Sequence, residues 1–415
     1  MTILTTQTAV VLSLACLLAA NVPAEVSAAP AVAGSDSSKL HAYSVCKKPL
    51  IRKEWRNLKK SEQKSYLNAV LCLAKKPTIA KRSAPGAISR YDDFVGVHAK
   101  QTPEIHFVGY FLHWHRYFVH AYEKALREEC GYKGAQPYWD YTYDVTKGGN
   151  MTSWPLFDKT YGFGGNGPYV PYVSFIPGRT GGGCVQDGPF TYPQFSLSLG
   201  PAPLPIRFDV PPPTETISTS ATPILTTTTT TSTSPVPTTP TLPKMTDFFP
   251  PTNLTISNPH CLKRDFAPQY LSDQVNISNY RLVLSQKDFA SFAFLLEGGP
   301  FVDPSIGTLH GGGHFGVGGS LGGMSDPFLS PSDPVFYMHH TNLDRVWWKW
   351  QKAGKKGERY RDVAGPIVPF DYQNTVKGNV TLDYVTHLEE LGKGAKVRDL
   401  MDTKGGFLCY DYEEL

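Results

Sequence analysis

The sequence predicts a mainly α-helical fold with long irregular loops and little β structure. Three observations point there. Apolar residues recur at helical spacing in four separated stretches. Residues 145–200 are crowded with glycine, proline and aromatics but show no period, as expected of ordered loops. Nine of the 12 histidines fall in two clusters attached to the helical stretches. The first helix is expected over residues 61–76, where Leu67, Val70, Leu71 and Ala74 share a face and Pro77 stops the chain. The second is expected over residues 114–129, with Phe118, Val119, Tyr122 and Leu126 on its apolar side and Gly131 beyond its end. A third is expected over residues 285–296. The last opens at Asp333-Pro334, an N-cap followed by proline in the first helical position, and runs to about Lys352 before Gly354.

The chain has 415 residues and a formal net charge of +4, with 40 Lys and Arg against 36 Asp and Glu. That balance, with no basic stripe, excludes nucleic acid as the natural partner. Hydrophobic residues make up 41%, enough for a large core. Residues 9–20 form an apolar run too short to span a bilayer, followed by the cleavage-like Val26-Ser27-Ala28. Residues 1–28 therefore read as an export signal, although no Lys or Arg precedes the run, and no membrane span is expected. Cys16 leaves with that signal. Cys46, Cys72, Cys130, Cys184, Cys261 and Cys409 remain, an even set that reads as three disulfides with the pairing open. Sequons at Asn150, Asn253, Asn276 and Asn379 are candidate glycosylation sites.

Residues 29–45 are small and polar and are expected to be disordered. One catalytic domain is expected over residues 46–412, interrupted by a disordered insertion at about 201–250. Between Thr214 and Thr241, 18 of 28 residues are Ser or Thr. Such a run buries too little apolar surface to offset its ordering entropy, so it reads as a surface insertion or a translated intron.

The histidines carry the chemistry. The first set is His98, His106 and His115; the second is His310, His314 and His340. His310 and His314 stand at i and i+4, so on a helix they grip one ion, and His340 offers a third nitrogen. No carboxylate or cysteine is interleaved where a zinc hydrolase or iron oxygenase needs one. Three imidazoles per ion suit copper, nickel or zinc, and two such sets suggest a two-metal site. His113, His120, His339 and His387 are read as ordinary packing or surface residues.

The segments Phe111-Leu-His-Trp-His-Arg-Tyr-Phe118 and Asp333-Pro-Val-Phe-Tyr-Met-His-His-Thr-Asn-Leu-Asp-Arg345 resemble the two copper signatures of the tyrosinase and catechol oxidase family. The resemblance spans about 320 residues outside the insertion. It implies a four-helix bundle holding two copper ions, one on His98, His106 and His115, the other on His310, His314 and His340. His340 is chosen over His339 because the family's ligand stands four residues before an aspartate, here Asp344, which is expected to orient an imidazole. Glu297 resembles the family's glutamate that positions a water near the second copper. Tyr410-Asp411-Tyr412 resembles the tyrosine motif that closes the catalytic domain. Two departures matter. His113 replaces a usual proline, leaving a polar group near the first copper. Glu104 stands where fungal members carry a cysteine, so no thioether to His106 is expected. The chain ends soon after its tyrosine motif, like the short secreted members, and is expected to need no proteolytic activation.

The resemblance implies an exported oxidase that uses O2 on small phenols. The residue after the first ligand of the second copper is often asparagine in members that hydroxylate monophenols. Gly311 stands there, so oxidation of o-diphenols to o-quinones is expected, with weak or no monophenol hydroxylation. Tyrosinase activity and o-aminophenol oxidation are the alternatives within the class. An oxygen carrier of the hemocyanin kind and an inactive secreted glycoprotein are the readings outside it. The Gly311-Gly312-Gly313 run disfavours a helix by roughly 1 kcal/mol per residue, so packing or metal must hold one there.

Overall fold

A computed structural model describes residues 46–172, 174, 176–200, 253–298 and 308–414. The expected signal at 1–28, the segment 29–45 and the Ser/Thr-rich insertion at 201–250 lie outside the described residues. The chain enters on β1 (Leu50–Arg52), then forms helices α1 (Lys60–Leu73), α2 (Arg90–Ile105), α3 (Phe111–Glu129) and α4 (Tyr141–Lys147). After a long irregular stretch come α5 (Pro268–Gln274), α6 (Ile277–Leu284), α7 (Phe289–Glu297), α8 (Leu309–Gly318) and α9 (Val335–Lys352). The short strands β2 (Val385–Thr386), β3 (Ala395–Lys396) and β4 (Tyr410–Tyr412) follow. The protein is mainly helical, as expected.

The helices α2, α3, α8 and α9 carry the clustered histidines. The helix α3 begins three residues before its expected start, at Phe111, which brings His113 into its first turn. The helix α9 begins one residue later than expected, with Pro334 in the N-cap position; Asp333 Oδ1 still accepts the Val335 N–H at 3.0 Å, and both Asp333 oxygens pair with the buried Arg264. The helix expected over 285–296 is α7, which begins four residues later, at Phe289. Ser285 ends α6, and Asp288 caps α7 by accepting the Ser291 N–H at 2.8 Å. The helix α2 was not anticipated. It starts on a Ser89–Asp92 capping box, and Asp92, Asp93, His98, Gln101 and Thr102 are buried together with its apolar residues.

The ends of the described chain meet. Strand β1 pairs in parallel with β4, Leu50 opposite Tyr410 and Arg52 opposite Tyr412, and Cys46–Cys409 links the same ends. Cys72–Cys130 ties the end of α1 to the end of α3, and Cys184–Cys261 pins the irregular stretch. Beneath β4 lies a buried polar knot. The Asp344 carboxylate accepts bonds from Arg52, Arg116, Tyr410 and Tyr412, and Arg52 also pairs with Glu123 at 2.7 Å. The two arginines pull the Asp344 pKa down against the burial that would raise it. Asp344 is thus spent on arginines and tyrosines and touches no imidazole, contrary to the sequence expectation. The tyrosine motif closes the domain by roofing this carboxylate.

Among the described residues, no helix is long and apolar enough to cross a membrane.

Candidate metal centre

Each histidine is placed by local backbone geometry. His98 lies two turns into α2, and His106 is the residue that ends it. His115 lies one turn into α3. His310 and His314 occupy successive turns of α8, and His340 lies on α9. The potential ligand nitrogens of His98, His106 and His115 all lie within 4.8 Å of one another, and so do those of His310, His314, His339 and His340. The two sets face each other: His106 stacks on His310 with ring centres 6.0 Å apart, and His115 on His340 at 4.5 Å.

Five of the six predicted ligands are oriented by backbone carbonyls. Nδ1–H of His98 donates to Phe328 O at 2.8 Å, His106 to Thr102 O at 3.2 Å and His115 to Phe111 O at 2.9 Å. His310 donates to Glu297 O at 3.3 Å and His314 to Met324 O at 2.7 Å. A proton held on Nδ1 leaves Nε2 as a bare lone pair. Nε2 of His98, His115 and His310 is buried with no hydrogen-bond partner, an arrangement costing about 1–3 kcal/mol per atom unless a cation takes the lone pair. Burial, reinforced by neighbouring imidazoles, holds His98, His115, His310 and His340 well below the ordinary histidine pKa. Burial likewise lowers His106 and His314 to about 4. All six are therefore neutral at physiological pH and ready to ligate. An all-nitrogen donor set with no thiolate or carboxylate fits copper.

His339 is the residue that sequence reasoning undervalued. It is fully buried inside the second cluster, its ring 4.9 Å from that of His314. It lies against the backbone of Gly313, where an added Cβ would meet its Cε1 at 2.2 Å. His340 Nε2 lies 3.1 Å from that of His314, while both ring nitrogens of His339 are buried without a partner. The visible signal was the His339-His340 doublet itself.

Among the described residues, the remaining histidines stay out of the clusters. His113 was expected near the first metal, but it points the other way, its Nε2 3.1 Å from Met401 Sδ and its ring against Trp347. His120 packs near Phe407, and His387 is largely exposed. The six described cysteines are all paired, so none of them is free to bond His106, and Glu104 is exposed.

Glu297, at the end of α7, spans both sets. Its Oε1 accepts the N–H of Phe107, the residue after His106, at 2.6 Å, while its carbonyl holds His310. Phe107 has φ +57°, a conformation rare outside glycine, and the Glu297 bond helps hold it. Burial pushes the Glu297 carboxyl well upward.

Residues 88–353 match the family described as "Tyrosinase: Common central domain of tyrosinase". The chain is 34% identical over 415 residues to an N-acetyl-6-hydroxytryptophan oxidase of Emericella nidulans, covering 94% of this chain and 98% of that protein. It is 30% identical to Tyrosinase P of Aspergillus terreus, covering 88% and 93%. A solved polyphenol oxidase variant from Thermothelomyces thermophila shares 33% identity and superposes with a TM-score of 0.67, over 88% of this chain and 89% of that one. With two facing sets of buried imidazoles in the matching helices, the chain belongs to the tyrosinase family of copper-dependent oxidoreductases.

Proposed function

We propose that the protein is an exported oxidase that couples O2 reduction to the oxidation of o-diphenols to o-quinones, with weak or no hydroxylation of monophenols. The observation that carries this reading is the pair of facing imidazole sets, in which five rings have Nδ1 tied to carbonyls and Nε2 of His98, His115 and His310 is buried without a partner. His98, His106 and His115 would hold one copper and His310, His314 and His340 the other; the ions, when bound, supply the two-electron chemistry with O2. The chain's own part is positional. The carbonyls of Phe328, Thr102, Phe111, Glu297 and Met324 fix ring orientation, and burial keeps the rings neutral. The buried Glu297 carboxyl, raised in pKa, is the group available to hold a water or a substrate hydroxyl near His310, in exchange with the Phe107 amide.

Gly311 supports the diphenol preference. A Cβ there would meet Thr308 Oγ1 at 2.8 Å and otherwise only Phe315 at 4.0 Å, so no side chain stands where a polar group would assist deprotonation of a phenol. Export is supported by the three disulfides. A second reading follows from the relative named for N-acetyl-6-hydroxytryptophan: a hydroxyindole is the physiological substrate class. Oxygen uptake by copper-loaded protein tests all of this. Uptake with catechol alone supports the proposal. Uptake with phenol too removes the Gly311 argument, and rapid uptake only with a 6-hydroxyindole selects the second reading. Reversible O2 binding with no turnover would make it an oxygen carrier.

A further inference from the structure

The turn between α8 and α9 reaches both histidine sets at once. Within residues 323–329, Met324 O accepts from His314 Nδ1 at 2.7 Å, and Phe328 O accepts from His98 Nδ1 at 2.8 Å. Between them, Pro327 O accepts the Thr102 hydroxyl at 3.3 Å, and the Thr102 carbonyl in turn holds His106. One short stretch of backbone thus sets the orientation of a ligand of each set directly, and of a third through one residue.

Ser325 Oγ ties the start of the turn to Gly318 O at 3.2 Å and Gly322 O at 2.9 Å, and Asp326 closes its end. Asp326 Oδ1 accepts the N–H of Phe328 at 2.8 Å and of Leu329 at 2.9 Å. Its own N–H donates to Gly323 O at 3.0 Å. Those bonds fix the direction in which the peptide groups flanking Asp326 aim their carbonyls. Without the carboxylate oxygen, two amides lose their acceptor and the Met324 and Phe328 carbonyls lose their common frame.

We propose that Asp326 is a positioning residue that sets the relative orientation of the two histidine sets, and through it the coupling of the metal pair. The proposal rests on the dicopper reading. It assigns the work to the acceptor oxygen of Asp326, and its negative charge is incidental.

The test compares wild type, D326N and D326A after loading with Cu(II), reading copper per chain by mass spectrometry and the Cu(II) signal by electron paramagnetic resonance. Two well-placed Cu(II) ions couple their spins and give almost no signal; a mis-set pair gives one. Wild type is expected to bind two coppers in silence. D326N keeps the acceptor oxygen and is expected to match it. D326A is expected to lose about tenfold or more in affinity for copper, or to keep both ions and show a strong signal, with far-ultraviolet circular dichroism unchanged. If D326A does not fold, D326S serves in its place: its shorter hydroxyl caps one amide rather than two, and a partial signal is expected. Silent, tightly loaded D326A or D326S would overturn the proposal, and so would a D326N variant as damaged as D326A. A wild-type protein that binds fewer than two coppers, or gives a full signal, would overturn the dicopper reading instead.

Discussion

The three glycines of α8 are not equivalent, and replacing each by alanine separates packing from propensity. At Gly313 a Cβ would stand 2.2 Å from His339 Cε1 and 2.3 Å from its Nδ1. Carbon contacts settle near 3.5–4.0 Å, so the ring must retreat by more than about 1 Å. It has no space to do so, because it is fully buried and its ring lies 5.8 Å from Tyr141, 6.0 Å from His310 and 4.9 Å from His314. Such overpacking costs about 1–3 kcal/mol, against a gain of about 1 kcal/mol for alanine over glycine in a helix. G313A is therefore expected to lose up to about 2 kcal/mol and to weaken copper binding by His310 and His314. At Gly311 the nearest atom is the hydroxyl of Thr308 at 2.8 Å, the end of a side chain that can rotate away. G311A should keep most of the propensity gain of about 1 kcal/mol. Urea unfolding of copper-free protein, followed by tryptophan fluorescence at constant m-value, reads the difference directly. A G313A midpoint equal to or above that of G311A would refute the packing argument.

G311N is expected to raise the ratio of phenol to catechol turnover by roughly tenfold or more, within the range of positioned proton transfer; an unchanged ratio in oxygen uptake would show that Gly311 does not set the preference. H340A is expected to bring bound copper from two per chain towards one, while H339A keeps two, as counted by metal analysis; the reverse result would exchange their roles. D344A leaves the guanidiniums of Arg52 and Arg116 buried without their shared carboxylate, so a loss of about 3–5 kcal/mol in denaturant unfolding is expected. Copper affinity in whatever D344A remains folded should be near wild type, because Asp344 touches no ligand. Copper-free protein should be acid-sensitive. Burial lowers His106 and His314 to about 4 and His113 to about 3. The unfolded chain therefore binds more protons below the unperturbed value near 6.5. Stability present above pH 6.5 is lost as pH falls towards 4, by roughly 1.4 kcal/mol for each tenfold by which folding weakens proton binding. A urea midpoint that is flat from pH 7.5 to 4.5 would contradict this.

What the sequence disclosed and what it concealed divide along one physical line. The helix α1 and the second half of α3 announce themselves because one face is apolar and the other wet, whereas α9 is buried almost all round and is marked instead by its Asp333-Pro334 start. In α2, which the sequence reading missed, Asp92, Asp93, His98, Gln101 and Thr102 turn inward beside the apolar residues, so a polar letter there does not mark a wet face. The six histidines are legible because ligand chemistry restricts residue type, and the structure gathers them as two facing sets. Their orientation is not legible, because it is delivered by the carbonyls of Thr102, Phe111, Glu297, Met324 and Phe328, and a carbonyl is the same in every residue. The Gly-Gly-Gly run reads in sequence as weak helix. In three dimensions Gly312 and Gly316 let α8 close onto Gln274, Val275 and Leu271, where a Cβ would meet atoms at 2.5–2.6 Å, while Gly313 admits the ring of His339. Close approach is therefore what the glycines provide, and α5 together with His339 is what holds α8 helical against its own propensity. Asp344 shows the converse error. Its spacing from His340 suggested a bond to an imidazole, but spacing along α9 says nothing of Arg52, which arrives from 292 residues away, or of Arg116, from 228. Two buried cations outcompete a neutral ring for one carboxylate, and that balance is decided by the tertiary fold.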